Sequence, residues 1–227
     1  MIIDMKKLLA TLSLVSLVQN YPVMAQTQTS EQLPIQGSDY IQKVINAKLI
    51  ANFPDGQFYP NSLISRAELA SILVKAFHLE KRQAVEQKKA KFIPDVPSSH
   101  PGYQDIQIVL KTDIMKGYRG NMFFPNQRVS RAEGLAIFAQ AYGVFQFPND
   151  TVNEILTPHP DAENIPTWAR KAIATVVSEG FINTDTQGNI NPLSPMTRAD
   201  MAYVLSKYLQ RQQKQPETPV VPGVPQL

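Results

Sequence analysis

The sequence has no cysteine. A chain without thiols carries no disulfide staples, no thiolate metal ligands and no cysteine nucleophile, so its stability must come from buried apolar surface. Histidine is scarce: His78, His100 and His159 lie far apart and match no metal-ligand spacing, so no metal is expected. A glycine-rich phosphate loop and a G-x-S-x-G elbow are also missing, so no cofactor and no catalytic residue are expected. Charge is sparse, at 18% of residues with a net charge of +3. That is too mild for a nucleic-acid binder, and no basic stripe with interleaved aromatics exists. Beyond the N-terminus no apolar run is long enough to span a bilayer.

At the N-terminus, "MIIDMKKLLATLSLVSLVQNYPVMAQ" sets Lys6 and Lys7 before an apolar stretch from Leu8 to Val18, then Val23-Met24-Ala25. This pattern reads as a secretory signal peptide over 1–25, with an uncleaved anchor as the rival, and it predicts export. At the other end, "PETPVVPGVPQL" holds four prolines and predicts an extended, flexible tail over 212–227. Between them, 43% hydrophobic residues across the chain predict a folded body.

That body repeats itself. Arg66 and Arg131 are 65 residues apart, and Arg131 and Arg198 are 67 apart. "DGQFYPNSLISRAE" at 55–68 aligns with "GNMFFPNQRVSRAE" at 120–133 and "QGNINPLSPMTRAD" at 187–200. After each arginine, apolar residues recur at helical spacing: Leu69, Ile72, Leu73, Ala76 and Phe77 in the first copy. Before each turn-rich loop a shorter helix is marked by Ile41, Val44 and Ile45, by Ile106, Val109 and Leu110, and by Ile173, Val176 and Val177. The expected fold is mainly α: three helix-loop-helix units that bury their faces against one another. The residues alone leave open whether the units close into a pseudo-threefold bundle or stack in a row. The plan is a linker at 26–39, repeat 1 at 40–79, a charged linker or helix at 80–91 and repeat 2 at 92–147. A linker at 148–157 and repeat 3 at 158–211 complete it.

Each long helix opens on a capping signal: Ser65 with Glu68, Ser130 with Glu133, and Thr197 with Asp200 as a shorter-armed version. Capping accounts for these six residues and makes the acids poor catalytic candidates. The arginine that follows each cap opposes the helix dipole at the first turn. Two causes are open. One is an internal ion pair with an acid on the next unit, such as Asp95 or Asp161. The other is an anion site, in which free first-turn amides and a guanidinium fork receive a carboxylate or phosphate.

The pattern D-G-x-F-x-P-N-x-x-I-[ST]-R-A-E, with the entrance "FIPDV" at 92–96, resembles the S-layer homology (SLH) module, three times over about residues 40–211. The resemblance implies a pseudo-threefold bundle of helical pairs and no catalysis. It implies non-covalent anchoring to the envelope (cell wall, periplasm or outer membrane) through wall-linked polysaccharide or peptidoglycan. In that family the sugar often carries a pyruvate ketal, whose carboxylate meets the motif arginine in a groove between repeats. The residues so implied are Arg66, Arg131 and Arg198. Trp168 and Tyr118 can stack on a sugar face, although a tryptophan more often packs in the core. The copies depart from one another: Gln36, Pro101 and Trp168 share one position, and Asp185 stands where copy two has Tyr118. Two rivals remain: an envelope scaffold that binds a protein with its arginines locked in internal salt bridges, and, more weakly, a glycan hydrolase.

Overall fold

The apolar spacing does produce helices, and the loops between them are what join the repeats. The structure, a computed structural model, describes residues 38–214. The signal peptide, the linker up to residue 37 and the tail from residue 215 lie outside them. Eight α-helices follow in order among the described residues. They are α1 (Ser38–Asn46), α2 (Arg66–Phe77), α3 (Gln83–Gln87), α4 (Tyr103–Lys111), α5 (Arg131–Tyr142), α6 (Asn149–Leu156), α7 (Arg170–Ser178) and α8 (Arg198–Lys214). The stretch 148–157, expected as a linker, carries α6, which packs on α7 by burying Val152 and Leu156. The charged run at 80–91 contains α3 and part of a 3₁₀ turn, Leu79–Lys81.

The repeats form a closed ring. The second helix of each unit packs on the first helix of the next: α2 on α4, α5 on α7, and α8 back on α1. Three isolated antiparallel bridges obey the same rule, Leu63 with Thr197, Ser65 with Arg128, and Ser130 with Pro195. At the centre three buried residues pass one hydrogen bond each around a triangle. Ile64 N donates to Met196 O at 3.0 Å, Met196 N to Val129 O at 2.9 Å, and Val129 N to Ile64 O at 3.3 Å. Such a cycle exists only if the third unit returns to the first, so the pseudo-threefold bundle stands and the linear stack does not. Gly134 belongs to this centre. A Cβ there would lie 2.1 Å from Met196 Sδ, which explains a glycine where the other copies carry Leu69 and Met201.

The second helices converge on an aromatic cluster. Phe77, Phe138, Phe181 and Tyr208 meet at centroid distances of 4.9–6.3 Å, mostly edge to face. Tyr142 joins them and donates to Glu179 at 2.8 Å, while Arg211 holds the same carboxylate at 3.1 Å. Burial first, then the Glu179 bond, push the Tyr142 phenol up to about 12. A phenol held above its unfolded value of about 10 stabilises the fold below that pH and stops doing so as pH rises through the folded value. Melting temperature should therefore fall between about pH 10 and 12, and fall less in Tyr142→Phe. Parallel profiles for the two proteins would remove Tyr142 from the alkaline transition.

Candidate functional site

The first turn of each long helix is already satisfied by protein. Arg66 N donates to Gln127 O and Ala67 N to Pro125 O, both at 2.9 Å. Arg131 N and Ala132 N reach Ser194 O and Pro192 O at 2.8 Å; Arg198 N and Ala199 N reach Ser62 O and Pro60 O at 2.8 and 2.9 Å. The third amide of each helix binds its cap oxygen on Ser65, Ser130 or Thr197. The expectation that helix amides and guanidinium share a ligand is thus corrected, because no first-turn amide is free. The repeated proline also gains a reason, since its carbonyl caps the neighbouring unit's helix.

The guanidinium groups follow the same ring. All three arginines are buried, at 4–5% exposure, each reaching into the next unit. Arg66 Nε and Nη2 donate to Phe123 O and Lys116 O at 2.8 Å. Arg131 donates to Ile190 O and Asn183 O at 2.7 Å, and Arg198 to Phe58 O and Ala51 O at 2.9 and 2.6 Å. Backbone carbonyls are therefore the common partners, and the cation acts as a clamp between repeats. Asp95 and Asp161 are not the ion-pair partners the sequence suggested. Their carboxylates accept from Phe123 N and Phe124 N, and from Ile190 N and Asn191 N, at 2.6–3.2 Å. Those bonds hold turns in which Phe124 and Asn191 have left-handed backbones.

The remaining nitrogen, Nη1, separates the three sites. On Arg131 it pairs with Asp200 at 2.7 Å, and on Arg198 it pairs with Glu68. Glu68 therefore leaves the expected capping box incomplete; Ser65 caps α2, but the Glu68 carboxylate goes to Arg198. Asp200 does both jobs, one oxygen on Thr197 and the other on Arg131 and Asn183. Burial alone would push its carboxyl up, but Arg131, Asn183 and the cap together hold it below the ordinary value. Glu133 curls back into a complete capping box with Ser130, at 2.8 and 3.0 Å, and leaves Arg66 alone. Among the described residues, Arg66 Nη1 has no hydrogen-bond partner, and no buried side-chain polar atom goes unpartnered, so this nitrogen opens to solvent. Burial lowers the Arg66 pKa below the ordinary arginine value, against the pull of Tyr118, Glu133 and Asp95, and an arginine in such a site stays charged at any physiological pH.

Arg66 faces a groove of about 580 Å³ whose walls include Lys116, Tyr118, Ala136, Trp168 and Lys171. Its guanidinium lies between the rings of Tyr118 and Phe123, 4.7 and 4.6 Å from their centroids. The acid on the rim, Asp113, is paired with Lys88 at 2.5 Å, which leaves the groove with a positive character. Trp168 is 64% exposed rather than buried. It sits in a 3₁₀ turn, Thr167–Ala169, ahead of α7, so only its neighbour Ala169 is drawn into the core. Of the residues singled out in the sequence, Arg66, Tyr118 and Trp168 come together here, while Arg131 and Arg198 stand apart.

Two residues that sequence reasoning passed over explain why this groove is open. Ala136 on α5 faces Ala172 on α7, and both line it. The equivalent pair at the Arg198 site is Ser71 and Asp105, which hydrogen-bond across the gap at 2.5 Å. At the Arg131 site it is Tyr203 and Tyr40, whose rings meet at 5.8 Å. The space beside Ser71 and Arg198 is accordingly smaller, about 290 Å³, and the hollow at Arg131, about 320 Å³, does not extend to the two tyrosines. The repeat alignment shows small residues at both positions of this pair alone, but the pairing itself is visible only in the fold.

A closed ring of three helical repeats clamped by arginines defines a class of repeat module, and comparison with known proteins identifies it. The chain matches the family described as S-layer homology domain at residues 34–70, 92–133 and 160–202, and it belongs to that family. It is similar to the surface-layer 125 kDa protein of Lysinibacillus sphaericus, 29% identical over 194 residues, covering 83% of this chain and 16% of that protein. It is also similar to a cellulosome-anchoring protein of Acetivibrio thermocellus, 26% identical over 169 residues, covering 73% and 36%. An amylopullulanase of Thermoanaerobacterium thermosulfurigenes is 25% identical over 174 residues, covering 76% and 9%. The chain thus spans about a third or less of the length of each of these relatives, at most 36%.

Proposed function

We propose that this chain is a non-catalytic cell-envelope anchor that holds an anionic, wall-linked polysaccharide in the Arg66 groove. The observation that carries the reading is the free Nη1 of Arg66, a buried cation opening between an exposed tryptophan, a tyrosine and two lysines. Family membership and the names of relatives, a surface-layer protein and a cellulosome-anchoring protein, support attachment at the cell surface. With Nε and Nη2 occupied by carbonyls, Arg66 offers a carboxylate one charge-assisted bond rather than a bidentate fork. Lys171 or Lys116 supplies the second. A pyruvate ketal suits this arrangement: its carboxylate sits at the cationic end while the sugar ring lies against Trp168 and Tyr118. Among the described residues one of the three grooves is built this way, so the stoichiometry is one ligand per chain.

The protein-scaffold reading draws on the Arg131–Asp200 and Arg198–Glu68 pairs, which are internal salt bridges of the kind it requires. Co-sedimentation with purified peptidoglycan sacculi separates the two. Retention should fall at least about tenfold in Trp168→Ala and in Arg66→Lys, and vanish when the attached polymer is removed. Retention indifferent to the polymer and to both substitutions would favour the scaffold, and release of soluble sugars would favour a hydrolase.

A further inference from the structure

On the far side of the Gly117–Tyr118 wall lies a second hollow, of about 320 Å³, bordered by Lys91, Phe92, Leu110, Gly117, Tyr118 and Asn121. Gly117 and Tyr118 line both spaces, so the hollow adjoins the groove across a shared wall. We propose that it is a second sugar subsite, which takes the next residues of the same polysaccharide whose charged unit is held at Arg66. The inference rests on the anchoring reading above.

Phe92 is the reason. It is 80% exposed, the most exposed of the large apolar side chains described, and packing does not explain it, because its neighbour Ile93 is the residue buried in the core. The backbone beside it is fixed. Gln107, itself 4% exposed, accepts from Lys91 N at 2.9 Å and donates to Lys91 O at 2.7 Å. Lys91 Nζ is tied to Leu110 O at 3.1 Å. A buried amide side chain thus pins the segment that holds an aromatic ring in water, opposite a second exposed ring, Tyr118, which Phe124 supports edge-on at 5.2 Å. Preorganised aromatic faces with a few polar groups beside them suit the apolar faces and hydroxyl edges of sugar rings. The third repeat has no such place: His159 Nδ1 meets Gly188 O at 2.9 Å, and Asp185 replaces Tyr118. The hollow and the open groove occur together, on the second repeat.

The test uses the full chain and wall polysaccharide released from sacculi, fractionated into single repeating units and chains of three or more, in calorimetric titrations. Wild type should bind the long fraction about tenfold more tightly than the single unit. Phe92→Ala should erase that gain and leave single-unit affinity unchanged, and Phe92→Trp should restore it. Equal affinity of wild type for both fractions, or a Phe92→Ala loss shared by both, overturns the subsite while the Arg66 groove stands. Failure of wild type to bind either fraction overturns the anchoring reading and the subsite with it.

Discussion

Arg131→Ala and Arg198→Ala each unfold more readily than wild type by about 3–5 kcal/mol, because each strands a carboxylate built to face a cation. Asp200 would lose Arg131 at 16% side-chain exposure, and Glu68 would lose Arg198 at 27%. Each variant also frees two carbonyls of the neighbouring loop, so the clamp between repeats opens. In Arg66→Ala two carbonyls lose their donor but no acid is abandoned, and the cost should be about 1–3 kcal/mol. Urea unfolding at neutral pH measures the difference, and in a melt the larger losses correspond to a shift on the order of 10 °C. The ranking is the content of the prediction. Three equal losses would mean that the Glu68 and Asp200 pairs add nothing to the common carbonyl clamp.

Ala136→Tyr copies the third repeat into the second and should abolish sacculus binding while leaving the fold intact. Position 136 is equivalent to Tyr203, whose ring fills its own gap against Tyr40. In the second repeat the facing residue is Ala172, so a tyrosine has room to enter the groove without overpacking the core. It would lie between Arg66 and Trp168 and occupy the volume assigned to the sugar. The expected result is a loss of about a hundredfold or more in retention, with a melting temperature within about 2 °C of wild type. Retained binding in a well-folded Ala136→Tyr would place the ligand elsewhere on the molecule.

The repeat, its helices and their caps were legible from residues because they depend on neighbours along the chain. Apolar spacing after Arg66 sets one face of α2, and Ser130 with Glu133 and Thr197 with Asp200 make the reciprocal caps that their spacing predicts. The same local reasoning failed for Glu68, whose side chain meets a partner 130 residues away. It failed for Trp168, where core burial was the commoner outcome, and for Asp95 and Asp161, whose loop amides come from 28 to 30 residues downstream. It missed Ala136 and Ala172, because a small residue signals space only once the opposite helix is known.

By itself the sequence determined that three similar helical units exist and that each offers an arginine at a helix start, since periodicity and capping are properties of short segments. The tertiary structure decided that the units close into a ring, that first-turn amides are occupied across its seams, and that one guanidinium keeps a nitrogen without a partner among the described residues. Those outcomes turn on which acid lies within reach of which cation, and on how much side-chain volume two facing helices bring to the gap between them. Both are distances through space, which chain order does not encode.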